Sequence, residues 1–133
     1  MIKDILIKKK IVAILIKSKN YKKLKGINFF TKEKYPLQVA SMQHSKNHAI
    51  NPHVHRNVIR KIKSTSEVLI IQSGEILVNF YNDNKKIEKK VILQKDDIII
   101  FLSGIHGFKV KKNSRFIEVK QGPYYKQLDK KLI

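Results

Sequence analysis

The chain has 133 residues and a mass of 15.6 kDa, the size of one domain with a single core and no separate cofactor domain. Its 29 Lys and Arg residues against 10 Asp and Glu give a formal net charge of +19, and a hydrophobic content of 42% excludes a disordered basic tail. Cysteine is absent, which excludes disulfides and thiolate metal sites and fits a reducing, cytoplasmic location. The apolar run at residues 11–16 is too short to span a membrane, so we expect no membrane association.

Apolar residues alternate with polar ones almost throughout the chain, which predicts many short strands. In chain order these cover residues 5–7, 11–16, 27–30, 37–43, 54–62, 68–72, 75–81, 86–93, 98–102, 107–111 and 115–120. Turn-forming residues separate them, as at Ser73-Gly74 and Lys112-Asn113-Ser114. The only helical candidate is the tail, residues 124–132. The pattern predicts an all-β sandwich, barrel or jelly roll.

Two predicted strands, residues 68–71 and 98–101, are apolar on both faces. If one face fills the core, the other must meet a second sheet, an N-terminal segment or another subunit. Of these we favour a homodimer.

The positive charge indicates either a solvated lysine surface or a patch for a polyanion. The chain has 26 Lys but only 3 Arg, the residue best suited to guanine edges and phosphates. The lysines are also spread along the whole chain. We therefore favour the solvated surface over a nucleic-acid partner.

The five histidines fall in two groups, with His44, His48, His53 and His55 in one and His106 in the other. His53 and His55 are two residues apart, so on a strand both imidazoles lie on one face and can bind one metal ion. Glu67 opens an apolar strand, and His106 follows the strand and glycine turn of residues 96–105. Three imidazoles and one carboxylate are typical metal ligands, although core hydrogen bonds could satisfy the same histidines.

These motifs resemble the cupin superfamily, in which a His-x-His pair and a Glu seven residues before a Gly combine with a later His. The resemblance implies a double-stranded β-helix, or jelly-roll barrel, with extra N-terminal strands. It implies His53, His55, Glu67 and His106 as ligands of one divalent ion, Fe, Mn, Ni or Zn. Eleven residues separate His55 from Glu67, more than is usual in cupins, which makes Glu67 the least typical ligand.

The stretch I-E-V-K-Q-G-P-Y at residues 117–124 resembles the end of small single-domain cupins of the WbuC type. Those proteins are associated with bacterial surface-polysaccharide gene clusters. Glu118 and Lys120 share one strand face and either reach a ligand in the barrel mouth or form a surface ion pair. With His44 and Tyr124 they are the candidate substrate-binding residues.

The sequence thus predicts N-terminal strands at residues 1–36, a cupin barrel at 37–122 and a tail at 123–133. The ligand set favours a metal-binding protein for a small polar metabolite, of a sugar-like or anionic kind. It is either a metal-dependent isomerase, epimerase or dioxygenase or a binding module without turnover. Nucleic-acid binding through the basic surface is the third alternative.

Overall fold

The structure, a computed structural model, describes residues 2–133, and its regular secondary structure is almost all β-strand, as the alternating pattern predicts. The strands are β1 (Ile2–Ile7), β2 (Lys10–Ile16), β3 (Gly26–Phe29), β4 (Ala40–Gln43), β5 (Glu67–Tyr81), β6 (Ile87–Gln94), β7 (Ile98–Phe101) and β8 (Ile105–Lys120). A four-residue helix, α1 (Ser18–Tyr21), follows β2. None of the helices in the described part of the chain is long and apolar enough to cross a membrane.

Strand β5 is the centre of a six-stranded antiparallel sheet. Strand β8 pairs along the whole length of one of its edges, from Glu67–Lys120 to Tyr81–Ile105. On the other edge β7 pairs with the first half of β5 and β6 with the second half. Strand β2 joins β7, and β1 forms the far edge beside β2. Strands β3 and β4 form a separate two-stranded sheet, and neither sheet closes into a barrel.

The main core lies on one face of the large sheet, which we call the inner face. Leu69 and Ile71 in the first half of β5, and Val78 and Phe80 in the second half, are buried there. The inward positions change from odd to even numbers along the strand, and the pairing with β8 shifts register between Ile71 and Ile76. The extra residue of a bulge makes this change and keeps both halves facing one core.

The opposite, outer face of β2, β7 and the first half of β5 is also apolar. Its buried residues include Ile14, Val68 and Ile100, and Phe30 is buried against them. Partly buried side chains from residues 21–39 pack on the same cluster. An N-terminal segment of the same chain therefore covers the second face, which is one of the three solutions that the two-faced strands allow.

The structure differs from the sequence prediction at several elements. Residues 54–62 form no strand, and every residue from 42 to 65 is exposed. The tail contains turns in place of a helix, whereas α1 has no counterpart in the prediction. The predicted breaks near Ser73 and Asn113 are irregularities within β5 and β8, because pairing between the two strands continues across both positions.

Candidate functional site

Glu67, one of the four predicted metal ligands, is the first residue of β5. Its backbone pairs with Phe101 of β7 on one side and Lys120 of β8 on the other. Paired residues of an antiparallel ladder project to the same face, and Phe101 belongs to the inner core. The carboxylate of Glu67 therefore lies on the inner face with only 14% of its side chain exposed.

His106, the second residue of β8, reaches the same place from the other end of the sheet. It pairs with the buried Phe80, and its ring stacks on Phe101 with centroids 4.0 Å apart and an interplanar angle of 14°. The Nε2 atom lies 3.6 Å from Oε1 of Glu67, and 24% of the side chain is exposed. The Nδ1 atom is buried and has no hydrogen-bond partner. Buried ring nitrogens are normally satisfied, so this one is available to a further ligand or water.

The distance of 3.6 Å between Glu67 and His106 is longer than a direct hydrogen bond. The neighbouring His106 lowers the pKa of Glu67 below its usual value. Burial opposes this effect, while Lys130 and Lys120 add to it. Glu67 is therefore present as a carboxylate, the form in which it can bind a cation.

The spacing of these two groups fits a shared metal ion. Two donor atoms that each lie about 2.1 Å from one ion at a tetrahedral angle are about 3.4 Å apart. Oε1 of Glu67 and Nε2 of His106 are 3.6 Å apart. Two donors are too few for a structural site, which normally uses four. Among residues 2–133, no three His, Asp or Glu side chains converge in a group that could hold a metal ion.

His53 and His55 lie away from this pair, in the exposed segment 44–65, on no strand. Their rings are 5.2 Å apart at 77°, and Nδ1 of His53 is 2.9 Å from the carbonyl oxygen of Asn51. The structure therefore brings together two of the four predicted ligands. The other two remain together but in a separate, solvated part of the chain.

The predicted substrate-binding pair lies on the same inner face as Glu67. Glu118 pairs with the buried Leu69, and Lys120 pairs with Glu67 itself. Nζ of Lys120 is 3.5 Å from Oε1 of Glu118 and 5.0 Å from the centre of the Tyr124 ring. Beside Glu67, Lys120 thus contacts two of the other predicted substrate-binding residues, Glu118 and Tyr124.

His44 is the exception, because it is exposed and stacks on His48 with ring centroids 4.0 Å apart.

Two side chains near the site were not among the predicted residues. Phe101 provides the surface on which His106 stacks, but its sequence context indicates only a buried strand. Gln121 accepts a hydrogen bond from the Ser66 amide at 2.9 Å, and its Nε2 atom is buried without a partner. Ser66 directly precedes Glu67, so this contact holds the start of β5.

Comparison with known proteins adds no assignment: no family model, no curated protein and no solved structure matches the chain.

Proposed function

We propose that this chain is a metal-binding protein of the cupin type, with Glu67 and His106 as the preformed half of its site. The observation that carries the proposal is this pair, a carboxylate and an imidazole 3.6 Å apart and largely buried. The unpartnered Nδ1 of His106 adds to it, because a ring whose other nitrogen is free can turn to present either nitrogen to an ion.

His53 and His55 supply the remaining ligands in this proposal. The segment that carries them is exposed throughout, with Val54 and Ile59 at 86% and 93% exposure. Within residues 2–133 the long strand β8 pairs only with β5, so its second edge is free of strand partners there. Alternating apolar residues in an exposed segment and an unpaired edge are complementary. Addition of residues 50–62 to that edge would move the sheet towards a jelly-roll barrel and bring the two histidines towards His106.

A divalent ion held by these ligands polarises an oxygen atom bound to it. The chain itself supplies Glu118 and Lys120 at the edge of the site, as an acceptor and a donor for a polar metabolite. Lys120 also lies over the Tyr124 ring, which restricts the position of its ammonium group. We therefore propose a small, oxygen-rich, sugar-like or anionic metabolite as the ligand.

A homodimer belongs to the same proposal. Ile117 and Val119 lie on the outer face of β8 and are nearly half exposed, beyond the part that residues 21–39 cover. A second copy would bury them.

The metal proposal is tested by titrating the purified chain with Zn²⁺, Mn²⁺, Ni²⁺ and, without oxygen, Fe²⁺. Glu67→Gln and His106→Ala should each weaken binding of the preferred ion by about tenfold or more, whereas His44→Ala should not. Binding that is unchanged in His106→Ala contradicts the proposal.

The proposed pairing of residues 50–62 with the free edge of β8 is tested by a distance measurement between spin labels. The chain has no cysteine, so spin labels attach only at Val54→Cys and Val110→Cys. The distance between the labels should shorten when metal is added. A distance that does not change with bound metal would mean that the histidines join no common site with His106.

A further inference from the structure

A cavity of about 260 Å³ lies at the end of the main sheet where β1 turns into β2. Lys8 and Lys10 line it from this turn, Tyr81 from the end of β5, and Ser103 and Gly104 from the loop before β8. Neither Glu67 nor His106 lines it. The cavity is therefore distinct from the candidate metal site, although its loop leads directly into His106.

The hydroxyl group of Ser103 is the first sign of a ligand. Its Oγ atom is buried and has no hydrogen-bond partner. A buried hydroxyl without a partner costs about 1 to 3 kcal/mol, so such groups are rare unless a ligand or water satisfies them. The backbone amides of Leu102 and Ser103 both donate to the carbonyl oxygen of Val12, at 2.8 and 3.2 Å. The loop is thus fixed to β2, and the unpartnered hydroxyl lies behind the cavity surface, so it reaches a ligand only after a change of side-chain rotamer.

The charge at the cavity is the second sign. Lys8 and Lys9 have positive φ angles of 47° and 65°, and Lys8 and Lys10 of this tight turn both line the cavity. Lys8 pairs with Asp83 at 2.6 Å, but the side chains are 63% and 80% exposed, so the pair is weak and exchangeable. In the described part of the chain no carboxylate forms an ion pair with Lys10. The lining therefore carries two cations, Lys8 and Lys10, and one carboxylate, Asp83. A more highly charged anion can displace Asp83 from Lys8.

We propose that this cavity binds the phosphate group of a small phosphorylated molecule. Two ammonium groups balance a phosphate dianion, and the Tyr81 hydroxyl, together with that of Ser103 once its side chain has rotated, can donate to the phosphate oxygens. The volume is below the usual range for a whole organic ligand, which suits a phosphate group with the rest of the molecule outside. The inference goes beyond the metal proposal, because none of its residues is a proposed metal ligand.

The test is calorimetric titration with inorganic phosphate and with glucose 6-phosphate, at constant ionic strength and with a chelator present. Lys10→Gln and Ser103→Ala should each weaken binding by about tenfold, as expected for one lost charge-assisted hydrogen bond. The control is Lys3→Gln, which removes an exposed lysine from β1 outside the cavity. An equal loss in Lys3→Gln would mean diffuse attraction to a basic surface and would overturn the site.

Asp83→Asn is a variant for which the proposal predicts a gain of binding, which misfolding could not produce. It frees Lys8 from its carboxylate partner, so phosphate should bind about threefold more tightly or better. Unchanged or weaker binding in this variant overturns the proposal, as does the absence of binding of both probes to the natural chain. Tighter binding of the sugar phosphate identifies a phosphate ester as the ligand, and tighter binding of inorganic phosphate identifies the free anion.

Because the chelator removes metal, a failure of the metal proposal leaves this result unaffected.

Discussion

Acidic residues are scarce in this chain, and several of them hold junctions of the sheet. The clearest is Asp97, only 2% exposed, between β6 and β7. Its carboxylate accepts hydrogen bonds from the backbone amides of Ser18 and Gln94, at 2.9 and 2.8 Å, and from the ammonium group of Lys17. One side chain therefore connects the end of β2, the start of α1 and the β6–β7 turn.

Asp97→Asn should lower the free energy of unfolding by about 2 to 3 kcal/mol. The amide keeps the shape of the carboxylate, but its NH₂ group faces donors and its charge is lost beside Lys17. Urea unfolding measures the change, with the exposed Asp4→Asn as the control. Equal stability of the two variants would mean that the buried contacts contribute nothing net.

Glu75 gives a pH-dependent prediction. Hydrogen bonds from Gln94 and Lys112, at 3.1 and 3.3 Å, hold the pKa of Glu75 below its usual value of 4.5. Since the folded-state pKa is the lower one, the carboxylate stabilises the fold above pH 4.5, and this contribution is lost as the pH falls through the folded-state pKa. The stability difference between the natural chain and Glu75→Gln should therefore shrink on acidification.

The measurement is the free energy of unfolding at about pH 7 and at about pH 3. Lys112→Gln removes one of the two donors and should reduce the pH dependence. A stability difference between the natural chain and Glu75→Gln that is the same at both pH values would contradict the interpretation.

At the scale of elements, the length of β5 depends on one glycine. Gly74 has a φ of 86°, a left-handed conformation that permits the bulge in the middle of the strand. A Cβ atom at this position would lie 2.1 Å from Oγ of Ser114 and 2.3 Å from the carbonyl oxygen of Asn113. The bulge and β8 therefore approach each other more closely than any side chain allows.

Gly74→Ala should destabilise the protein by about 3 kcal/mol or more, because a steric clash adds to backbone strain. Gly26 is the matched control, with a φ of 73° but nothing within 4 Å of its Cβ position. Gly26→Ala should cost only about 1 to 2 kcal/mol. Thermal unfolding compares the two variants, and an equal loss would show that backbone strain alone sets the cost.

Strands that pair with a neighbouring part of the chain, or that are rich in β-branched residues, can be predicted from the sequence. The strands at 11–16 and 98–102 are predicted within a residue or two, because runs of Ile and Val favour extended backbone. Residues 54–62 show a similar alternation but form no strand, since alternation gives a strand only where a partner edge pairs with it. Ser73-Gly74 indicates a turn in the sequence, whereas pairing with β8 makes it a bulge.

The candidate site is also predictable only in part. Glu67 and His106 meet because each lies at the start of a strand beside Phe101, and each directly precedes a strand predicted from the sequence, at residues 68–72 and 107–111. The positions of His53 and His55 depend on where a long exposed segment lies, which no local pattern determines. The cavity at the β1–β2 turn brings together a turn, a strand end and a loop distant in sequence, and no motif marks it.

At the scale of the whole molecule, the N-terminal third covers what would otherwise be an exposed apolar face. Phe30 is 6% exposed and packs on the cluster that contains Val68, Ile98 and Ile100. Its ring also lies 5.9 Å from that of Tyr21 in an edge-on arrangement. Residues 21–39 therefore form a lid over the outer face of β2 and β7.

Phe30→Ala should lower stability by about 3 kcal/mol, since it leaves a cavity between the lid and the sheet. The neighbouring Phe29 is 59% exposed, so Phe29→Ala should cost less than about 1 kcal/mol. Urea unfolding measures the loss of stability in each variant, and binding of a hydrophobic dye measures exposure of the apolar face. If both variants lose the same stability, the lid does not pack as described.

The position of β8 determines the order in which the sheet can be completed during synthesis. The hairpins β1–β2 and β5–β6 join neighbouring parts of the chain, but the pairs Ala13–Phe101 and Glu67–Lys120 join distant ones. The first half of β5 therefore has one edge unpaired until residues 115–120 have left the ribosome. Non-local pairing of this kind is slow, on the order of milliseconds to seconds. During that interval an apolar strand is exposed to other chains, and mutual repulsion between copies carrying a net charge of +19 opposes their aggregation.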